Sequence, residues 1–490
     1  MIRFPFPLLA LVTFGIFMPL VEVQAHAFGT RHELPVPLWL FVIGAGAAVA
    51  LSFVVAPFLL RSTWLWRRAL ASQWPKAGRI LVMALRLFTV CALVMVWSAA
   101  AFGTDETLEN LAPTAVWVMW WLGIAYACAV FGNVWALINP FDTIFRLGAT
   151  LFPRSTRYRC RDWPEWLGRW PAAVALLAFA WIEMVSEFGE TPRGLAWTIG
   201  LYALVTWAGM IIWGRARWLN YADPFAVFFG LIGRFGIFAG RLEQGPAPAV
   251  RAFWFRLPAV GLAERRLPTP GTLAVVIVML STVSFDGFRE TPLWQEILSW
   301  VASDMNLRPF LLLLRDQGID LLAFIESAGL LLSPLLFAAV YLVFARAMVL
   351  MSPTGHATLT VAAMFATSMI PIAIAYHLAH YVSYFLLAGQ LFLPLLSDPF
   401  GWGWNLVGTA HQTIDVTIVN ARLVWHISVV AVVTGHVAAV VVAHLTARAL
   451  YQDESLVRRS QIPMIVLMVL YTMSSLWILA QPVVLPSADL

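Results

Sequence analysis

Lysine is almost missing: Lys76 is the only one in 490 residues, so arginine carries nearly all of the positive charge. Chemistry built on a lysine amine at any other position is thereby excluded. Charge of either sign is scarce too, at 12% of the chain, against about a quarter in soluble proteins. No arginine stripe lies on a polar domain, so the net charge of +5 points to no nucleic-acid partner. The three cysteines, Cys91, Cys128 and Cys160, share no CxxC spacing, which argues against a disulfide framework or a thiolate zinc site. What fills the chain instead is apolar. Hydrophobic residues make up 61%, with 24 Trp and 33 Phe, and the mean hydropathy is +0.80. One water-soluble core cannot bury that much apolar surface, and amphipathic rings in such number suit two lipid–water interfaces. The composition predicts an all-α, polytopic transmembrane helix bundle whose first partner is the lipid bilayer.

Arg3, an apolar run from Phe6 to Val21 and the small-residue site Val23-Gln24-Ala25 have the layout of a secretory leader. The layout predicts a signal peptide over 1–25 and a single transmembrane helical domain over 26–490. Cleavage after Ala25 would free His26, cleavage after Ala27 would free Phe28, and an uncleaved run would stay as an anchor. A terminal His26 would offer an amine and an imidazole to one metal, a set that copper favours; the plainer alternative is a histidine that merely follows a leader.

A hydrocarbon core of about 30 Å needs about 20 apolar residues per helix. Scanning on that basis predicts ten spans: 37–60, 79–101, 114–138, 171–188, 194–214, 271–287, 319–349, 358–386, 423–446 and 463–480. Alternate connections then differ in charge. One set carries 23 of the arginines and lysine, the other only six arginines together with acidic residues such as Asp105, Glu106 and Glu109. Positive charge stays in the cytoplasm, which predicts a bacterial inner-membrane protein with both mature ends periplasmic. Two internal echoes, Asn139-Pro140-Phe141 with Asp223-Pro224-Phe225 and Glu190-Thr191-Pro192 with Glu290-Thr291-Pro292, read as turns that end helices or as remnants of duplication. The Phe-rich stretches 141–152 and 225–238 that follow the first pair are expected to lie in the inner interface.

Ionisable groups at membrane depth are costly and therefore candidates for function. At about 1.5 Å per residue, His377, His380, His426, Glu326, Glu183, Glu187 and Asp286 all fall in the outer half, whereas His444 stands nearly alone in the inner half. His377 and His380 are three apart and share a helix face, as do Glu183 and Glu187, four apart. His436 would lie about 15 Å deeper than His426 and reads as a relay or packing residue. His411 and Asp415 fall in an outer loop that could form a lid; His356 falls at a cytoplasmic turn. Imidazole with carboxylate suits zinc, copper, iron or manganese, and a divalent ion would generate hydroxide at neutral pH. The expected ligands are His377, His380 and His426, with Glu326 or Glu187 as general base or fourth ligand. The alternative for the same residues is a set of interhelical hydrogen bonds near a wet boundary.

His26-Ala27-Phe28-Gly29 with Leu34-Pro35-Val36-Pro37-Leu38-Trp39-Leu40, Asp286-Gly287-Phe288 before Thr291-Pro292, and Gly435-His436-Val437-Ala438-Ala439-Val440 with Ala443-His444 resemble the bacterial integral-membrane proteins known as fenitrothion hydrolases. The resemblance runs along most of the chain. It implies hydrolysis of an apolar organophosphorus triester with release of a nitrophenol, and it marks His26, Asp286, His436 and His444 as matching positions without assigning them roles. Soluble phosphotriesterases use a histidine-rich barrel site; no HxH pair occurs here, so such a site would have been built independently among helices. The rival is a transporter or metal- and proton-handling membrane protein using the same outer-half cluster, favoured by Pro334 and Pro371 inside spans. A haem-binding electron carrier is a third alternative. Whether a second membrane subunit is needed is left open by the sequence.

Overall fold

A computed structural model describes residues 38–59, 67–71, 76–151, 160–242, 250–263, 269–353, 355–451 and 453–481. The expected leader and His26 lie outside them. The principal helices are α1 (Leu38–Leu59), α2 (Lys76–Phe102), α3 (Leu111–Phe131), α4 (Pro140–Leu151), α5 (Trp170–Met184), α6 (Pro192–Trp213) and α7 (Pro224–Ile232). They continue as α8 (Pro270–Arg289), α9 (Pro292–Ser303), α10 (Arg308–Asp316), α11 (Leu321–Met351), α12 (Thr358–Ser397), α13 (Ala421–Leu450) and α14 (Glu454–Leu479).

Each of the ten predicted windows holds a helix. Among the described residues, eight helices are long and apolar enough to cross a membrane: α2, α3, α6, α8, α11, α12, α13 and α14. The apolar stretch Leu38–Phe53 of α1 and the 15-residue α5 are shorter. One pair went unpredicted: α9 and α10 pass the same test only together and are bent by 88° at their break. α8 is the innermost span, with 89% of its apolar window buried, whereas α2 buries only 11%. The chain thus surrounds α8 with neighbours and leaves α2 at the periphery.

Helix starts follow local chemistry. Asp223 accepts from the Ala226 N–H (2.7 Å) and Asn139 from that of Asp142 (3.1 Å), each directly before a proline. Thr191 and Thr291 likewise cap α6 and α9 before Pro192 and Pro292. The internal echoes are therefore cap–proline helix starts, in which a side-chain oxygen meets an orphan N–H and proline occupies a position needing no donor. Correction falls on the 225–238 stretch. Phe225, Val227, Phe228, Phe229, Leu231 and Ile232 are all buried, because α7 packs into the bundle against α3 and α5 rather than lying amphipathically along an interface.

A three-stranded antiparallel sheet, also unforeseen, joins β1 (Arg67–Ala71), β2 (Phe238–Leu242) and β3 (Val250–Arg256) in the order β1-β3-β2. At the same arginine-rich connections Asp142 gathers Arg86, Arg146 and Arg215. Burial works against its charge, but the Arg215 hydrogen bond and the three guanidinium charges win, holding the carboxyl below its ordinary range.

Two spans are irregular. In α3 the residues Thr114–Gly123 wind as a π-helix. In α12 the α-helix Thr358–Phe365 gives way to a 3₁₀ turn at Ala366–Met369 and resumes at Ile370. Pro371, the second residue of the resumed helix, has no N–H to continue the earlier ladder. Pro334 by contrast sits inside an uninterrupted α11.

Candidate functional site

The site is built around Asp286, near the C-terminal end of α8. Its Oδ2 accepts from His380 Nε2 at 3.0 Å and from the Tyr381 hydroxyl at 2.6 Å, both on α12. Its Oδ1 accepts from Arg289 Nε at 3.1 Å, one turn along the same helix. Arg289 also donates to the Met184 carbonyl at the end of α5, and its Nη1 stands 3.7 Å from Glu326 Oε2 on α11. Four helices therefore converge on one carboxylate and one guanidinium. Such charge-assisted bonds are about twice as strong as neutral ones, and at membrane depth an ionised Asp286 without them would be prohibitively costly. Glu290, immediately past α8, is half-buried; burial pushes its carboxyl up, against the pull of His380.

His377 occupies the neighbouring face of α12. Its ring centroid lies 4.9 Å from Tyr381, 5.7 Å from Tyr126 and 5.9 Å from Trp121, and its buried Nε2 has no hydrogen-bond partner. Two small cavities touch it. One, of about 30 Å³, is lined by Glu183, Trp121, Thr282 and Tyr381 as well as apolar residues; the other, of about 20 Å³, is lined by Tyr126, Phe228 and Met279. Each has room for one or two waters. The π-wound part of α3 supplies Trp121, whose position against His377, Phe179 and Phe228 walls this side.

The predicted residues divide. The structure brings together His380, Asp286 and Glu326, through Arg289, and places His377 and Glu183 at the adjoining cavity. It does not bring in His426, which is exposed on α13 with Nδ1 bonded to the Arg422 carbonyl of its own helix (2.6 Å). Glu187 is exposed as well, at the start of the short turn Glu187–Glu190. Equal depth groups them with the cluster, but they point away from the bundle. His377 and His380 share a helix face only loosely: both lie against Tyr381, but only His380 bonds to Asp286. Among the described residues no three His, Cys, Asp or Glu side chains are grouped to hold a metal ion, and His377, His380 and His426 do not come together as one set. His436 and His444 are buried deeper along α13; His436 Nδ1 bonds to the Val432 carbonyl (2.8 Å), and His444 Nδ1 lies 3.1 Å from the Gln461 amide nitrogen.

Sequence reasoning missed Arg289, Tyr381, Tyr376 and Tyr471. The i, i+3 spacing of Asp286 and Arg289 was a usable signal, as was Tyr381 beside His380. Comparison of the chain with known protein families, curated proteins and solved structures finds no match.

Proposed function

We propose that the chain is a multi-pass membrane protein that binds a proton at the Asp286–His380 couple and uses it to drive the movement of a solute, with its arginine-rich loops in the cytoplasm and its ends outside the inner membrane. The observation that carries this reading is Arg289 shared between two carboxylates, at 3.1 Å from Asp286 and 3.7 Å from Glu326. A proton arriving on Asp286 weakens its hold on Arg289, His380 and Tyr381 together, and Arg289 then turns to Glu326. Two arrangements of one cation between α8 and α11 form the kind of two-state element that coupling needs. The 3₁₀ break before His377 and the π-winding of α3 supply deformable backbone beside it. Infrared difference spectra of the purified chain across a pH step test the reading. A carboxylic-acid band lost in Asp286→Asn and imidazole bands lost in His380→Gln are expected; spectra identical in wild type and variants overturn it.

A second reading keeps hydrolysis of an apolar phosphotriester. The carboxylate–imidazole couple favours it, because Asp286 fixes His380 through Nε2 and leaves Nδ1 to take a proton from an attacking water. Among the described residues no three potential metal ligands are grouped here, and the base in this reading is the imidazole itself. Nitrophenol release from fenitrothion by the purified chain, abolished in His380→Gln, would favour this reading over transport; no release above a protein-free control refutes it.

A further inference from the structure

Inward of Asp286 lies a second group of polar side chains that the reading above does not use. Tyr376 on α12 has its ring stacked parallel to that of His380, with centroids 6.4 Å apart. On the other side its ring lies 6.5 Å from Tyr471 of α14, and Tyr471 in turn lies 5.9 Å from His436 of α13. The Tyr471 hydroxyl is 2.7 Å from Ser284 Oγ on α8. Two atoms here lack any partner: the Tyr376 hydroxyl and His436 Nε2, on side chains each 1% exposed.

Their chemistry is complementary. The Val432 carbonyl can only accept, so His436 Nδ1 carries the hydrogen and Nε2 presents a lone pair. The Tyr376 hydroxyl presents a hydrogen. A donor and an acceptor left orphaned on two rings that both neighbour Tyr471, with the mutually bonded Tyr471 and Ser284 hydroxyls between α8 and α14, are polar groups of the kind that a buried water satisfies. Glycines make the arrangement sterically feasible. A Cβ at Gly287 would stand 3.0 Å from the Tyr376 hydroxyl and 3.5 Å from His380 Cε1, and one at Gly435 would overlap Ala375 Cβ. Gly435 therefore lets α13 approach α12 closely, beside both orphaned groups.

We propose that Tyr376, His436, Tyr471 and Ser284 hold bound water inside the bundle, and that this wet niche links His380 to the cytoplasmic half as the inward leg of the proton route. The water site stands on the orphaned groups alone; the route rests on the function proposed above. In each hop a water or hydroxyl oxygen gives one hydrogen to the next oxygen and receives one from the previous donor, so no oxygen changes its charge at the end; His436, whose Nδ1 hydrogen is held by the Val432 carbonyl, anchors the water through Nε2 and passes no proton.

Hydroxyl-radical footprinting by water radiolysis, on the full chain in lipid nanodiscs, tests the niche without any transport assay. Tyr341 is the internal control for Tyr376, both side chains being buried, with the Tyr341 hydroxyl donated to the Ala362 carbonyl at 2.9 Å. Tyr376 should be modified several-fold faster than Tyr341, and Gly287→Ala, which fills the space at the Tyr376 hydroxyl, should lower that rate. A rate equal to that of Tyr341 in the wild-type chain overturns the proposal. A fast-labelled niche in a chain whose infrared spectra ignore Asp286 supports the water site while removing the function proposed above, so the two failures are distinguishable.

Discussion

Asp286→Asn is the perturbation whose size can be worked from the structure. The asparagine oxygen can replace Oδ2 and still accept from His380 and Tyr381, at present 3.0 and 2.6 Å away. Its amide nitrogen then faces Arg289 Nε, now 3.1 Å from Oδ1, so two donors oppose each other. Breaking one side of a buried ion pair costs about 3–5 kcal/mol. Arg289 is a quarter exposed, at 25%, and keeps the Met184 carbonyl and Glu326. Solvent and those partners offset roughly half, leaving about 2 kcal/mol. The clean measurement is a double-mutant cycle with Arg289→Met, read by tryptophan fluorescence during reversible unfolding in mixed micelles. The double variant should lose less than the sum of the singles by about 1–2 kcal/mol. A coupling below about 0.5 kcal/mol would refute the claim that Asp286 and Arg289 hold each other.

Further outcomes follow from the same packing. Asp223, between α6 and α7, is wholly buried, which raises its carboxyl from 3.8 to about 6. Its protonated form is thus favoured in the fold, and its contribution is complete below about pH 4 and lost as pH rises through about 6. Asp223→Asn, which keeps the cap on Ala226, should remove up to about 3 kcal/mol of that decline, visible as a flatter melting temperature across this window relative to wild type. Asp142→Ala strands Arg86, 1% exposed, and should cost about 3–5 kcal/mol in the same unfolding assay. Because Asp142 is held below its ordinary range, wild type should approach the variant's stability only in acid. Gly435→Leu pushes a side chain into Ala375 and the Pro371 carbonyl and should destabilise by about 1–3 kcal/mol or more; an unchanged midpoint would refute the close approach of α12 and α13.

The apolar windows were legible because a hydrophobic run of twenty residues fits little else than a helix spanning lipid, and every one of them holds a helix. Position along a span carried information too, since Asp286, His380 and Glu326, grouped by height in the sequence, meet through Asp286 and Arg289. Direction around the helix axis was not legible, because near-uniform apolarity erases the periodic contrast that tells a lipid face from a buried one. Height alone therefore groups His426 and Glu187 with residues they never meet. Arg289 reads as an orientation charge, so its bond to Asp286 shows in the sequence only as an i, i+3 spacing, and Tyr381 is marked only by its place beside His380. The sheet was missed for another reason: β1 and β3 are far apart in sequence, and arginine masks their pairing pattern.

The widened coil of α3 has a consequence for the wall it carries. Trp120 packs edge-on against Phe225 at 4.6 Å, while Trp121 stacks on Phe228 at 4.7 Å and faces His377. Tightening those ten residues to the ordinary four-residue hydrogen-bond step would carry both indoles round the axis and unseat them from α7 together. The aromatic partition beside His377 thus owes its seat on α7 to the pitch of that one helix.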